Sequence, residues 1–135
     1  MRQIIFLAHG DFAQGLASAM RVIGVDTSEF SFLSLAADDG IEEMEHRLEM
    51  CFKMLDSNKP VVIITDLPAG STTQYAVKAM INNPKVHVIS GCNLGLALAV
   101  ALEPLDDHPE GQLRRIVSES QETILYINDA LCASR

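Results

Sequence analysis

The sequence predicts an α/β fold: a three-layer α/β/α sandwich around a mainly parallel central sheet of about four strands, with room for an antiparallel edge strand. Short apolar runs of strand length alternate with segments whose apolar residues recur at helical spacing. The loops between them are short. Val61-Val62-Ile63-Ile64-Thr65 is apolar almost throughout, as a strand covered on both faces would be. A β-α-β-α-β-α-β-α order then implies parallel strands joined by right-handed crossovers, with helices on both faces of the sheet.

Each element has its own signal. Gln3-Ile4-Ile5-Phe6-Leu7-Ala8 is the first strand, ending on His9, and Gly10 opens a turn. Phe12, Leu16, Met20 and Ile23 follow at helical spacing, and Gly24 stops that helix ahead of Val25-Asp26-Thr27-Ser28. Phe30 to Leu35 alternates like a strand. Asp38-Asp39-Gly40 reads as a turn and helix N-cap, followed by Ile41, Met44, Leu48, Cys51, Phe52 and Leu55 on one face. Asn58-Lys59-Pro60 ends that helix, and the strand at 61–65 runs into Asp66-Leu67-Pro68-Ala69-Gly70-Ser71. A helix is expected from about Thr72 to Ile81, closed by Asn82-Asn83-Pro84. Val86-His87-Val88-Ile89-Ser90 is the fourth strand, Gly91-Cys92-Asn93 the loop after it, and Leu94 to Leu102 an apolar helix with Pro104 just beyond. The tail from Leu113 to Ala130 reads as one helix, with Leu113, Ile116, Val117, Ser120, Ile124 and Ile127 on one face. No repeat, linker or low-complexity stretch interrupts the pattern.

Composition narrows the class. A chain of 135 residues suits one domain, 1–135. It is 48% hydrophobic but only 5% aromatic, with no Trp, so Val, Ile, Leu, Ala and Met must fill the core; Met20, Met44, Met50, Met54 and Met80 read as core filling. Cys51, Cys92 and Cys132 are far apart and odd in number, against both a disulfide framework and a zinc site, so a reducing cytoplasm is expected. Met1-Arg2-Gln3 leads straight into a strand rather than a signal-peptide core, and no apolar run reaches the length of a membrane span. A net charge of −8 without a Lys/Arg cluster disfavours a nucleic-acid partner.

Ligands of open parallel sheets bind at the carboxyl ends of the strands. Three loops should share that edge: His9-Gly10, Asp66 to Ser71, and Gly91-Cys92-Asn93. Taken singly, each has a structural reading as well: Asp66 as a turn cap, Ser71 as a helix N-cap, Asn93 as loop geometry. His46 sits among Glu42, Glu43, Glu45 and Glu49 on a solvated face, His87 and His108 read as structural or surface residues, and Cys92 as a buried thiol.

Taken together, a strand ending in His-Gly, an Asp-Leu-x-x-Gly-Ser segment after the third strand and a Gly-x-Asn-Leu loop after the fourth resemble the IIA domains of the mannose class of the bacterial sugar phosphotransferase system. The resemblance spans nearly the whole chain. It implies that His9 accepts a phosphoryl group from the phosphocarrier protein HPr and passes it to a IIB component. It further implies that Asp66 is the hydrogen-bonded partner of His9, that Gly70-Ser71 is the phosphate-facing turn, and that Gly10 and Asn93 belong to neighbouring loops. No metal or organic cofactor is implied. Such domains form homodimers, some with an exchanged edge strand; the helical reading of the tail predicts a dimer without exchange. A IIA domain does not touch the sugar, so mannose, fructose, sorbose, N-acetylgalactosamine and related amino sugars all remain compatible.

Elementary chemistry supports those roles. A carboxylate accepting from Nδ1–H fixes Nε2 as the free nucleophile of a neutral imidazole and stabilises the positive charge that builds as the phosphoryl group arrives. Amides near Gly70, Ser71 and Thr72, at a helix N-terminus, suit phosphate oxygens, with the Ser71 and Thr72 hydroxyls nearby. The chain departs from the family in Pro68-Ala69, where two glycines before the Ser or Thr are usual, and in Thr72-Thr73, where a Pro-aromatic pair is usual. Pro68 removes an amide donor and Ala69 restricts the loop. Two other classes fit less well. A nucleotide- or flavin-binding module lacks its G-x-G-x-x-G turn or Walker A lysine, and a serine hydrolase built on Ser71, His9 and Asp66 lacks the G-x-S-x-G elbow.

Overall fold

A computed structural model describes residues 3–132, so Met1 and Arg2 of the expected leaderless start lie outside the described residues. The strands are β1 (Ile4–His9), β2 (Ser31–Leu35), β3 (Val61–Thr65) and β4 (Val86–Ser90). Between and after them run α1 (Phe12–Ile23), α2 (Ile41–Lys53), α3 (Ser71–Asn82), α4 (Leu94–Leu102), α5 (Glu110–Gln121) and α6 (Ile127–Cys132). The sheet has four strands in the order β2-β1-β3-β4, every pair parallel. No antiparallel fifth strand is present among the described residues.

Alternation along the strands divides the core in two. Ile4, Phe6 and Ala8 of β1, with Val62 and Ile64 of β3, face α1, α4 and α5. Ile5 and Leu7, with Val61 and Ile63, face α2 and α3. Both faces of the two central strands are therefore dry, which is why their sequences read as unbroken apolar runs. Phe6 stacks on Phe32 with ring centroids 5.0 Å apart and meets Phe30 edge-on at 6.3 Å, which gathers three of the few aromatics into this one layer.

Three expectations need correction. In α1 the buried face is Ala13, Leu16, Ala17 and Met20, while Phe12 is 44% exposed and Ile23 is also exposed. Bulk misled here, because small alanines form the side nearest the sheet. Met20 and Met44 fill the core as expected, but Met50, Met54 and Met80 are exposed, and in α2, which ends at Lys53 short of the expected Leu55, Ile41 is exposed as well.

The third concerns the tail, which is two helices rather than one. Helix α5 starts earlier, directly after Pro109, and stops at Gln121. Thr123 closes its last turn, with both its amide and its hydroxyl donating to the Ser120 carbonyl, at 3.1 and 2.7 Å. Beyond Ser120 the chain has no layer to pack on, and Ile124 and Ile127 are exposed instead of continuing the buried face.

Candidate active site

Strand pairing explains why two residues 57 positions apart meet. Strands β1 and β3 are neighbours in a register that sets Leu7 opposite Thr65, so His9 at the end of β1 lies beside Asp66 just past the end of β3. The Asp66 Oδ2 atom accepts from the His9 backbone amide at 2.9 Å and lies 2.8 Å from His9 Nδ1. The imidazole side chain is 42% exposed and the carboxylate only 13%, so the ring faces outward from a covered partner. Pairing at Nδ1 leaves Nε2 without that partner.

The turn after β1 is made by Gly10, whose φ of 55° lies in the left-handed region that a side chain would disfavour. Its amide donates to the Leu35 carbonyl at 3.0 Å, extending the β1–β2 pairing by one bond before α1 begins. On the other side, the loop from Asp66 to Gly70 folds over the histidine. A Cβ on Gly70 would stand 2.9 Å from His9 Cε1 and 3.6 Å from Nε2, so only glycine permits this approach. Gly70 is also the N-cap of α3, which makes Ser71, Thr72 and Thr73 the first helical residues. Their amides point out of the helix start without an intrahelical acceptor, in the positive field of the helix dipole. Ser71 is thus the first helical residue rather than the cap, and it lines a concavity of about 520 Å³ with His9, Gly10, Asp39, Ile41 and Tyr75. Pro68 and Ala69 are exposed at the loop tip.

Thr72 and Asn93 are placed differently from Ser71. Thr72 is fully buried, and its hydroxyl donates to Asp66 Oδ1 at 2.8 Å instead of turning outward. Asn93 caps α4, its side-chain oxygen accepting from the Leu96 amide at 2.8 Å. The loop that carries it is tied to the site by backbone, with the Gly91 and Cys92 amides both donating to the Thr65 carbonyl at 3.1 and 3.0 Å.

Sequence reasoning missed a hydroxyl cluster beneath the loop. Thr65 Oγ1 lies 2.7 Å from Thr73 Oγ1 and donates to Ser90 Oγ at 2.8 Å, and Thr73 Oγ1 donates to the Leu67 carbonyl at 2.5 Å. With those two hydrogens committed, the Ser90 hydroxyl is left to donate to Thr73 Oγ1 at 3.2 Å, which ties the first turn of α3 to the end of β4. The available signal was a hydroxyl residue closing each of two apolar strands.

Charge at the site follows from these contacts. Burial works to raise the pKa of Asp66, but the bonds it accepts from the His9 backbone, the His9 ring and the Thr72 hydroxyl outweigh it, and the carboxyl sits below its ordinary value of 3.8. Burial first, and the charge of Asp66 second, push the Cys92 thiol up to about 12, which leaves it un-ionised and unreactive near neutral pH. Among the described residues, no three His, Cys, Asp or Glu side chains converge as a metal-ligand set, and no helix is long and apolar enough to cross a membrane. What the arrangement offers is an oriented, partly exposed imidazole beside a helix N-terminus.

A sequence-family profile, EIIA-man, described as the PTS system fructose IIA component, matches residues 3–116. Among solved structures, the chain is similar to the mannose/sorbose-specific IIA subunit of the phosphotransferase system from Enterococcus faecalis, at 25% identity and a TM-score of 0.80 over 92% of each chain. It is also similar to the PTS IIA protein associated with the fucose utilization operon of Streptococcus pneumoniae, at 26% identity and a TM-score of 0.80 over 96% of each chain. The phosphotransferase system component EIIA from Streptococcus agalactiae shares the fold, with a TM-score of 0.85 at 21% identity over 95% of this chain and 98% of that one.

Proposed function

The chain belongs to the EIIA-man family of sugar phosphotransferase system IIA components, and from that premise we propose that it is a cytoplasmic phosphoryl carrier with His9 as the phosphorylated residue. The observation that carries this reading is the 2.8 Å pairing of His9 Nδ1 with Asp66 Oδ2, which leaves Nε2 as the nucleophile beside the first turn of α3. Phospho-HPr docks over the loop edge. The Nε2 lone pair attacks phosphorus in line, the phosphorus–nitrogen bond to the donor breaks, and the donor ring keeps that electron pair. The Nδ1 proton stays between His9 and Asp66, whose negative charge offsets the positive charge gathering on the ring. The amides of Ser71 and Thr72, with the Ser71 hydroxyl, receive phosphate oxygens at the helix N-terminus, where negative charge is favoured. A IIB component reverses the step by attacking the same phosphorus.

The surroundings suit a protein partner. Phe12 and Leu67, on the segments just past β1 and β3, are exposed, as is Ile41, which lines the concavity beside His9, an apolar surface of the kind a protein partner covers. Incubation with phosphoenolpyruvate, Enzyme I and HPr, read by intact mass, is expected to add one acid-labile, base-stable phosphoryl group to the wild type and none to His9→Ala. An unmodified wild type in the presence of verified phospho-HPr would overturn the reading.

A further inference from the structure

We propose that Thr72 is a positioning residue of this site: its buried hydroxyl, donating to Asp66 Oδ1, holds the carboxylate in the rotation that presents Oδ2 to His9. An aspartate carboxylate is joined to its Cβ through a torsion that is intrinsically soft and roughly two-fold. Bonds to one oxygen alone do not fix it. Both donors from His9, the backbone amide at 2.9 Å and Nδ1 at 2.8 Å, fall on Oδ2. The other oxygen is held by two groups: the adjacent Leu67 amide at 3.1 Å, which moves with the same loop, and Thr72 Oγ1 at 2.8 Å. Only Thr72 brings a bond from a separate element, the first turn of α3.

Three features suit Thr72 to this part. It is completely buried, so its hydroxyl has no bulk water to turn to and an unmade bond would be costly. Branching at Cβ limits its χ1 within a helix to two main rotamers, so the donor has few alternatives to the one bonded to Asp66. The next residue, Thr73, is bonded to the Leu67 carbonyl and lies 2.7 Å from Thr65 Oγ1, which anchors the turn that carries Thr72. The helix start that offers amides to a phosphate is therefore the same body that aims the carboxylate, and the carboxylate selects the ring tautomer. A hydroxyl bonded to Asp66 is also not free for phosphate, so Ser71, which is exposed, is the hydroxyl left for that task. The consequence for phosphoryl transfer rests on the carrier reading above; the aiming of His9 does not.

The test uses the full chain labelled with ¹⁵N-histidine, free of phosphate. The wild type is expected to show His9 as a single tautomer protonated on Nδ1. Thr72→Val, equal in shape but without the donor, is expected to give mixed tautomers and a phosphoryl-acceptance rate from phospho-HPr reduced on the order of 10-fold. Thr72→Ser is expected to restore both. Should the valine variant fail to fold, Thr72→Cys, of similar size with a weak donor, carries the same expectation. A valine or cysteine variant that keeps the wild-type tautomer and rate overturns the proposal, as does a folded serine variant that behaves like valine. If the wild type accepts no phosphoryl group, the carrier reading fails while the tautomer comparison still decides the role of Thr72.

Discussion

Two neighbours set the position of the His9 ring: Asp66 by a bond to Nδ1, and Gly70 by the room its missing side chain leaves beside Cε1. Asp66→Asn keeps the shape but lets an amide donor face Nδ1, which favours the wrong tautomer, so phosphoryl acceptance is expected to fall about 10–100-fold in a rapid-quench assay. The same substitution has a pH signature. The folded pKa of Asp66 lies below its ordinary value of 3.8, so its stabilising contribution is complete above that value and is lost as pH falls through the folded value. The stability gap between wild type and Asp66→Asn, measured by urea unfolding, is therefore expected to hold at neutral pH and to close as pH drops below 3.8. Gly70→Ala would place a Cβ 2.9 Å from Cε1 and push the ring aside. Its phosphorylation rate is expected to drop on the order of 10²-fold, while unfolding shows a loss of at most about 1 kcal/mol. His9 and Asp66 were legible in the sequence because each directly follows an apolar strand. The Thr72 hydroxyl was not, because its direction depends on how α3 seats on the sheet.

At the level of elements, the strands were readable to within a residue, since buried parallel strands announce themselves as short apolar runs between turn residues. The helices α3 and α4 were equally plain from their caps and spacing, whereas α2 starts as expected but ends at Lys53, short of Leu55, and leaves Ile41 exposed. The two failures share a cause: a helix face and a helix end depend on what lies against them. In α1 the small residues Ala13 and Ala17 are buried in place of Phe12 and Ile23, and in the tail the helix stops where its support stops. Asn93 illustrates the reverse, a polar loop residue near a site whose observed bond belongs to its own helix. Asn93→Ala is expected to cost about 1 kcal/mol in chemical unfolding through loss of the α4 cap. Phosphorylation of His9 at a temperature where the variant stays folded is expected to be unchanged, and a large loss of rate would instead assign Asn93 to the site.

For the molecule as a whole, one continuous parallel sheet with helices on both faces gathers three loops at one edge and leaves the tail uncovered. Ile124, Leu125, Tyr126, Ile127 and Leu131 are all exposed, with Ile124 at 75%, an apolar stretch that a monomer would present to water. We expect a homodimer that covers it: size exclusion with light scattering should give twice the chain mass, and Tyr126→Ser with Leu131→Ser should reduce it to one. A monomeric wild type at micromolar concentration would remove this prediction. The sequence by itself determined the fold class, the order of the elements and the pair His9 and Asp66, because hydrophobic periodicity and turn chemistry are local and the parallel topology then brings strand ends to a common edge. Only the tertiary structure decided that Gly70 must lack a side chain, that Thr72 turns inward to Asp66, that Asn93 is a cap and that the tail breaks. The Gly70 approach to His9 depends on segments far apart in the chain, the inward turn of Thr72 on how α3 seats on the sheet and the break in the tail on where packing support ends, while the Asn93 cap is a local bond to Leu96 that the settled backbone selects.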